Sequence, residues 1–160
     1  MSDAALVDRE LDREERSGAV DDRALSVRAP RVPQARGLPS WWTQATEQLR
    51  AMRSLGENWD GYGAAAPRAE ILHSAIGFLR FLSRYVSVPL PYMSPTRNGG
   101  VLFEWERGPH QLEVDICTRD AASYVYLNRQ TDLSISGYLF KDSADDGCFL
   151  EVVRTYFATE

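Results

Sequence analysis

The sequence predicts an α+β domain, with two N-terminal helices packed on an antiparallel sheet of about four strands and a possible short C-terminal helix. Three observations predict it. Apolar residues recur at helical spacing between Trp41 and Leu82, the period drops to two from Val101 onward, and a proline-rich run, "VPLPYMSP", separates the two regimes.

Residues 1–37 precede this pattern. They mix charges of both signs with Pro30, Pro33 and Gly37 and contain no aromatic residue. Such a segment cannot bury enough apolar surface to offset its ordering entropy, so it reads as a disordered or partner-folded leader. The expected organisation is that leader followed by a single α+β domain over residues 38–160. Neither a signal-peptide core nor a continuous apolar stretch of membrane-spanning length occurs in the sequence. A cytoplasmic protein with no membrane partner is expected.

The first helix is expected to start after Ser40 as N-cap, with Trp41, Ala45, Leu49 and Met52 on one stripe. Gly56 is the expected left-handed residue that ends it. A second helix follows Pro67, whose missing N–H costs little in a first turn. Ile71, Leu72, Ala75, Ile76, Leu79 and Leu82 make its broad apolar face, widened by Phe78 and Phe81, which calls for burial against the sheet. In the hairpin that follows, Val101, Phe103 and Trp105 alternate with Leu102, Glu104 and Glu106. Leu112, Val114 and Ile116 alternate likewise with Glu113 and Asp115, and "GPH" supplies the turn. "ASYVYLNR" and "DLSISGYLF" read as two further strands, and "CFLEVVRTYF" as the closing helix.

Composition narrows the function. The formal net charge is −5, which opposes direct nucleic-acid binding through a bulk positive field, and Lys141 is the only lysine. Arg28, Arg31 and Arg36 lie in the leader behind acidic residues and do not reverse that balance. The two cysteines, Cys117 and Cys148, form no CxxC pair or Cys/His cluster, so a zinc site is not expected; a single disulfide is compatible with the sequence and not required by it.

The connector "LGENWDGYGAAAP", Leu55 to Pro67, sets Trp59 and Tyr62 among glycines, an asparagine and two acids. One reading is structural: Asn58 and Asp60-Gly61 form turns, while the two rings bury against the sheet end. The other is a ligand or peptide pocket floored by Trp59 and Tyr62, with Asp60 as its polar contact. This loop, the helix after it, and "VPLPYMSPTRNGGVLFEWERG" with "LEVDI" together resemble a group of small uncharacterised bacterial proteins. Those proteins carry a WDGYGA-type loop followed by a GG-x-hydrophobic-x-x-EW strand. The resemblance spans roughly Leu49 to Tyr126 and implies a bacterial source and a shared fold, with no activity to carry over.

Catalytic chemistry has little support. His73 falls within the second helix, where a core or boundary role is expected, and His110 falls at a hairpin turn, where solvation is expected. Neither stands at a recognisable spacing from a nucleophile, and the glycines match no phosphate-binding fingerprint. No catalytic residues, cofactor or metal are assigned. The chemical feature that stands out is the acidic alternation. Glu104, Glu106, Glu113 and Asp115 should share one face of a hairpin, since side chains two apart do so. A solvated outer face, a docking patch for a basic partner, and a divalent-metal site for a small hydrolase or nuclease are the three accounts of it, with Arg107 and Arg119 available to neutralise the charge. The functional expectation is a non-enzymatic bacterial interaction protein (adaptor, inhibitor or antitoxin-like) that docks a basic protein partner on this face. The alternatives are the metal-dependent hydrolase and a ligand-sensing module built on the Trp59 loop. An exposed strand edge or an uncovered aromatic strip is also compatible with a homodimer.

Overall fold

The computed structural model describes residues 37–140 and 145–159, so the expected leader, Gly37 apart, lies outside the described residues. The chain runs α1 (Trp42–Met52), α2 (Ala69–Tyr85), β1 (Tyr92–Pro95), β2 (Val101–Arg107), β3 (His110–Ile116), β4 (Ala122–Asn128), β5 (Leu133–Leu139) and α3 (Asp145–Tyr156). The strands form one antiparallel sheet in sequence order, β1-β2-β3-β4-β5, each joined to the next. Among the described residues the α+β class holds, with three helices and five strands where about four strands were expected.

The additional strand is β1. Its four residues come from the proline-rich run, where Pro95 ends the strand opposite Val101. Proline is tolerated there because β1 is an edge strand and needs hydrogen bonds on one side only. The helix boundaries also differ from the expected ones. Ser40 does not cap α1, whose N-cap position is Trp41, without a side-chain cap. Pro67 lies before α2, which begins at Ala69 after an extended Arg68. Gly56 does not supply the left-handed turn; Asn58 does so at φ 60°, followed by Gly61 at 75° and Gly63 at 87°. Asn tolerates this conformation better than other side-chain-bearing residues because its short amide bonds to local backbone, which it does here.

The core lies between the helices and one sheet face. Val101, Phe103 and Trp105 of β2, Leu112, Val114 and Ile116 of β3, and Tyr124 and Tyr126 of β4 are all buried on that face. Strand alternation requires this: each buried residue is two positions from the next. α2 lies over β2 and β3, α3 packs on β5, and α1 runs beside α2 and β1. Phe78, near the middle of α2, is the hub, with ring centroids 5.2 Å from Phe103 and 6.0 Å from Phe149. Truncating a ring so enclosed costs about 3–5 kcal/mol, from lost transfer energy and the cavity left behind.

Two indoles, one at the start of α1 and one on β2, fasten the run before β1. The Trp41 N–H donates to the Val88 carbonyl at 2.8 Å, and the Trp105 N–H to the Pro89 carbonyl at 3.0 Å. This segment carries prolines and cannot pair as a regular strand, so side-chain donors satisfy its carbonyls instead. Cys117 falls just past the end of β3 and Cys148 within α3; both are exposed and free. No helix among the described residues is long and apolar enough to cross a membrane.

Candidate functional site

Two places carry the residues singled out in the sequence: the loop between α1 and α2, and the sheet face turned away from the helices.

The loop is closed by its own hydrogen bonds. The Asn58 N–H donates to the Ala64 carbonyl at 2.7 Å, and the Asn58 Oδ1 accepts the Gly63 N–H at 2.7 Å. Asp60 Oδ1 accepts two backbone donors, Tyr62 N–H at 2.7 Å and Ala64 N–H at 3.1 Å. Its other oxygen, Oδ2, lies 3.2 Å from Arg97 Nε. Arg97 also donates through a terminal nitrogen to the Tyr62 carbonyl at 2.7 Å. The Tyr62 N–H foremost, helped by the Ala64 N–H and the Arg97 charge, holds the Asp60 carboxyl below its ordinary value against the opposing effect of burial. Both carboxylate oxygens are therefore engaged in holding the loop.

Below the loop lies the β1–β2 turn. Ala65 bridges to Asn98, the Ala65 N–H donates to the Arg97 carbonyl at 2.9 Å, and the Arg68 N–H donates to the Gly99 carbonyl at 3.1 Å. Trp59 is half-buried, with its indole N–H on the Ala65 carbonyl at 3.1 Å. It fits the structural reading. Tyr62 does not bury as expected: it is 82% exposed, because the turn at Gly61 and Gly63 swings it outward. Trp59, Asp60 and Tyr62 thus do not line one pocket floor together: one ring is half-buried, the acid is bonded inward, and the other ring stands in solvent.

On the open sheet face the four acids come together as expected. The register sets Glu104 opposite Glu113, Glu106 opposite Gln111, and Asp115 opposite Leu102. Arg129, which follows β4, neutralises one end, with its guanidinium 3.1 Å from Glu106 Oε1 and 2.6 Å from Gln111 Oε1. Gln111 in turn donates to Glu113 Oε1 at 2.6 Å. Arg107 and Arg119, the expected neutralisers, do not do this. Arg107 donates to the Ala158 carbonyl at 3.0 Å, and Arg119 lies in the β3–β4 connection, its carbonyl accepting from Ser74.

Glu104, Glu113 and Asp115 have no cation within ion-pairing distance among the described residues. Burial first, then the charges of Glu113 and Glu106, push the Glu104 carboxyl above its ordinary value. Burial alone raises Asp115, whose Oδ1 is enclosed without a hydrogen-bond partner. Beside Glu104, past the start of β1, a groove of about 490 Å³ is lined by Pro89, Leu90, Tyr92, Glu104, Trp105 and Glu106. Tyr92 stands 69% exposed at its rim. Among the described residues, no three His, Cys, Asp or Glu side chains come together as a metal ion would require.

The histidines lie elsewhere. His73 is exposed on α2 rather than at a core or boundary position. His110, expected in solvent, is stacked: its ring centroid is 4.5 Å from that of Tyr156 in α3, and its Nδ1 is 2.8 Å from the Tyr126 hydroxyl. Burial, together with Tyr156, raises the Tyr126 phenol above its ordinary value. The stack joins β3, β4 and α3. Neither histidine adjoins the acidic face or the loop. No protein-family model matches the chain, and neither the curated proteins nor the solved structures include a match to it.

Proposed function

We propose that this is a non-enzymatic interaction protein, of the adaptor, inhibitor or antitoxin-like kind, that docks a basic protein partner on the acidic half of its open sheet face. Glu104, Glu106, Glu113 and Asp115 are the contact residues. The reading rests on one observation: Glu104 faces Glu113 directly across β2 and β3, with no cation in reach among the described residues. Directly opposed like charges cost a sheet about 0.2–1 kcal/mol, and a sequence optimised for stability alone would not retain the pair. A lysine or arginine from a partner would remove that cost on binding. The rigid sheet presents the charges on backbone that is already ordered, and such a surface speeds association with a basic patch in a salt-dependent way. The groove rimmed by Tyr92 offers a ring and two carboxylates to a guanidinium.

In the same reading the protein acts in a bacterial cytoplasm, a setting that suits two exposed free thiols. The Trp59 loop serves as structure. The test combines stability with binding in a Glu104→Gln, Glu113→Gln variant. A docking face gives a variant that is at least as stable at neutral pH yet loses a partner captured from the native host at low salt. A variant that keeps the same partner at the same salt would remove the proposal.

A further inference from the structure

The two edges of the sheet are built differently. β1 is four residues long, ends in Pro95 and follows Pro89 and Pro91, so it offers little backbone to another strand. Short length and proline are the devices by which edge strands avoid further pairing. β5 has neither. It runs seven residues, "LSISGYL", without a charge, a proline or a bulge in its pairing with β4. Its burial is also poor: Leu133 is 44% exposed, and Ser134 and Ser136 stand in solvent. Among the described residues no strand pairs with its outer side.

The charge distribution says what this edge fits. Every acid of the open face lies on β2 or β3; β4 and β5 present Ser123, Val125, Leu127, Ser134, Ser136 and Tyr138 there. A basic ligand would thus meet its complement on β2 and β3, whereas the β5 side is neutral and sets no like charge against a partner that is itself acidic. A second copy of this chain is such a partner. With strands about 4.8 Å apart, pairing β5 to β5 would hold the two β3 strands roughly 24 Å from each other, about three screening lengths at physiological salt. Repulsion between the acidic halves would then be small.

We propose that β5 pairs antiparallel with β5 of a second copy, about a twofold axis at Ser136, making one ten-stranded sheet. Centring on Ser136 is the arrangement that pairs all seven residues. Leu133 then meets Leu139 of the second copy, Ile135 meets Gly137, Ser134 meets Tyr138, and Ser136 meets itself. Each pair joins residues of equal parity, so the core face continues into the core face and the open face into the open face. An edge contact of this length is smaller than a standard interface, so association is expected in the micromolar range. The dimer would carry two acidic halves facing one way, so a partner with two basic patches would bind with avidity.

The experiment uses the full chain with Cys117 and Cys148 replaced by serine, then Ser136→Cys or Ser134→Cys added. Directly opposed cross-strand Cβ atoms lie about 4.5–5.5 Å apart, close to disulfide reach. Mild oxidation should link Ser136→Cys into dimers and leave Ser134→Cys, which faces Tyr138 of the second copy, mostly unlinked. Sedimentation equilibrium should show the wild-type chain passing from monomer to dimer with concentration. Ser136→Lys, an exposed substitution that sets like charges together at the axis, should weaken that association by about tenfold or more. A wild-type chain that stays monomeric up to tenths of a millimolar would overturn the proposal. So would equal cross-linking of the two cysteine variants, or a Ser136→Lys chain that dimerises as well as the wild type.

Discussion

The carboxylate of Asp60 meets the guanidinium of Arg97 at 3.2 Å, Oδ2 to Nε, and there the loop between α1 and α2 is tied to the turn between β1 and β2. The other oxygen of the same carboxylate accepts the Tyr62 and Ala64 N–H groups. One side chain therefore shapes the loop and fastens it to the sheet. Asp60→Asn keeps the size and loses the charge. It should lower the melting temperature and leave the Tyr62 and Ala64 amides faster to exchange, as hydrogen-exchange NMR would read.

The same residue sets an acid-side dependence. Its folded-state carboxyl titrates below the ordinary value of 3.8, so the folded chain favours the ionised form. The stability this contributes is present above that ordinary value and is lost as pH falls through the folded one. Denaturant midpoints measured between neutral pH and acid should fall for the wild type. They should fall less steeply for Asp60→Asn.

Trp59 and Tyr62, three residues apart in one loop, should respond unequally to truncation. Trp59→Ala removes a half-buried ring and its bond to Ala65, and should cost about 1–3 kcal/mol, below the figure for a fully buried ring. Tyr62→Ala removes a ring that is 82% exposed and should change stability by less than about 0.5 kcal/mol. Urea unfolding of the two variants separates a structural loop from an aromatic binding floor.

Gly99 makes the loop's seat possible. A Cβ there would lie 2.8 Å from the Ala66 carbonyl oxygen, and the residue has φ +76°. Gly99→Ala should cost about 1–3 kcal/mol from strain alone, with the carbonyl contact adding to it. Gly56→Ala, where no heavy atom lies within 4 Å and no positive φ is needed, is the matched control and should be nearly neutral.

On the alkaline side, Tyr126 should matter. Its phenol titrates above the ordinary 10.0, so the folded chain holds the proton more tightly than the unfolded one. That stability is complete below the ordinary value and is lost as pH rises through the folded one. Tyr126→Phe should flatten the alkaline fall, and at neutral pH should cost about 1–2 kcal/mol by leaving His110 Nδ1 without its partner.

The helices and the central hairpin were legible because their apolar periods are long and regular: Ile71 to Leu82 at helical spacing, Val101 to Ile116 at spacing two. The same alternation put Glu104, Glu106, Glu113 and Asp115 on one face, where the structure has them. Four-residue β1 was not legible, since a strand that short has no period and Pro95 argues against it. Caps failed where backbone bonds within the local segment decided the boundary: the Pro39 carbonyl accepts the Trp42 N–H in the first turn, and Asn58 takes the left-handed position in place of Gly56. The ties that define both candidate sites, Arg97 to Asp60 and Arg129 to Glu106, join residues far apart in sequence with no local signal. The stacking of His110 on Tyr156 likewise exists only once α3 has folded over the sheet.

The central claim is that the acidic half of the sheet docks a basic partner. The most direct test is the salt dependence of capture from the native host, comparing the wild type with a chain in which Glu104, Glu106, Glu113 and Asp115 become Gln or Asn. A stoichiometric basic protein that elutes with rising salt from the wild type and is not retained by the variant is the expected result. Equal retention of that protein by the variant, or no such partner even at low salt, would contradict the account.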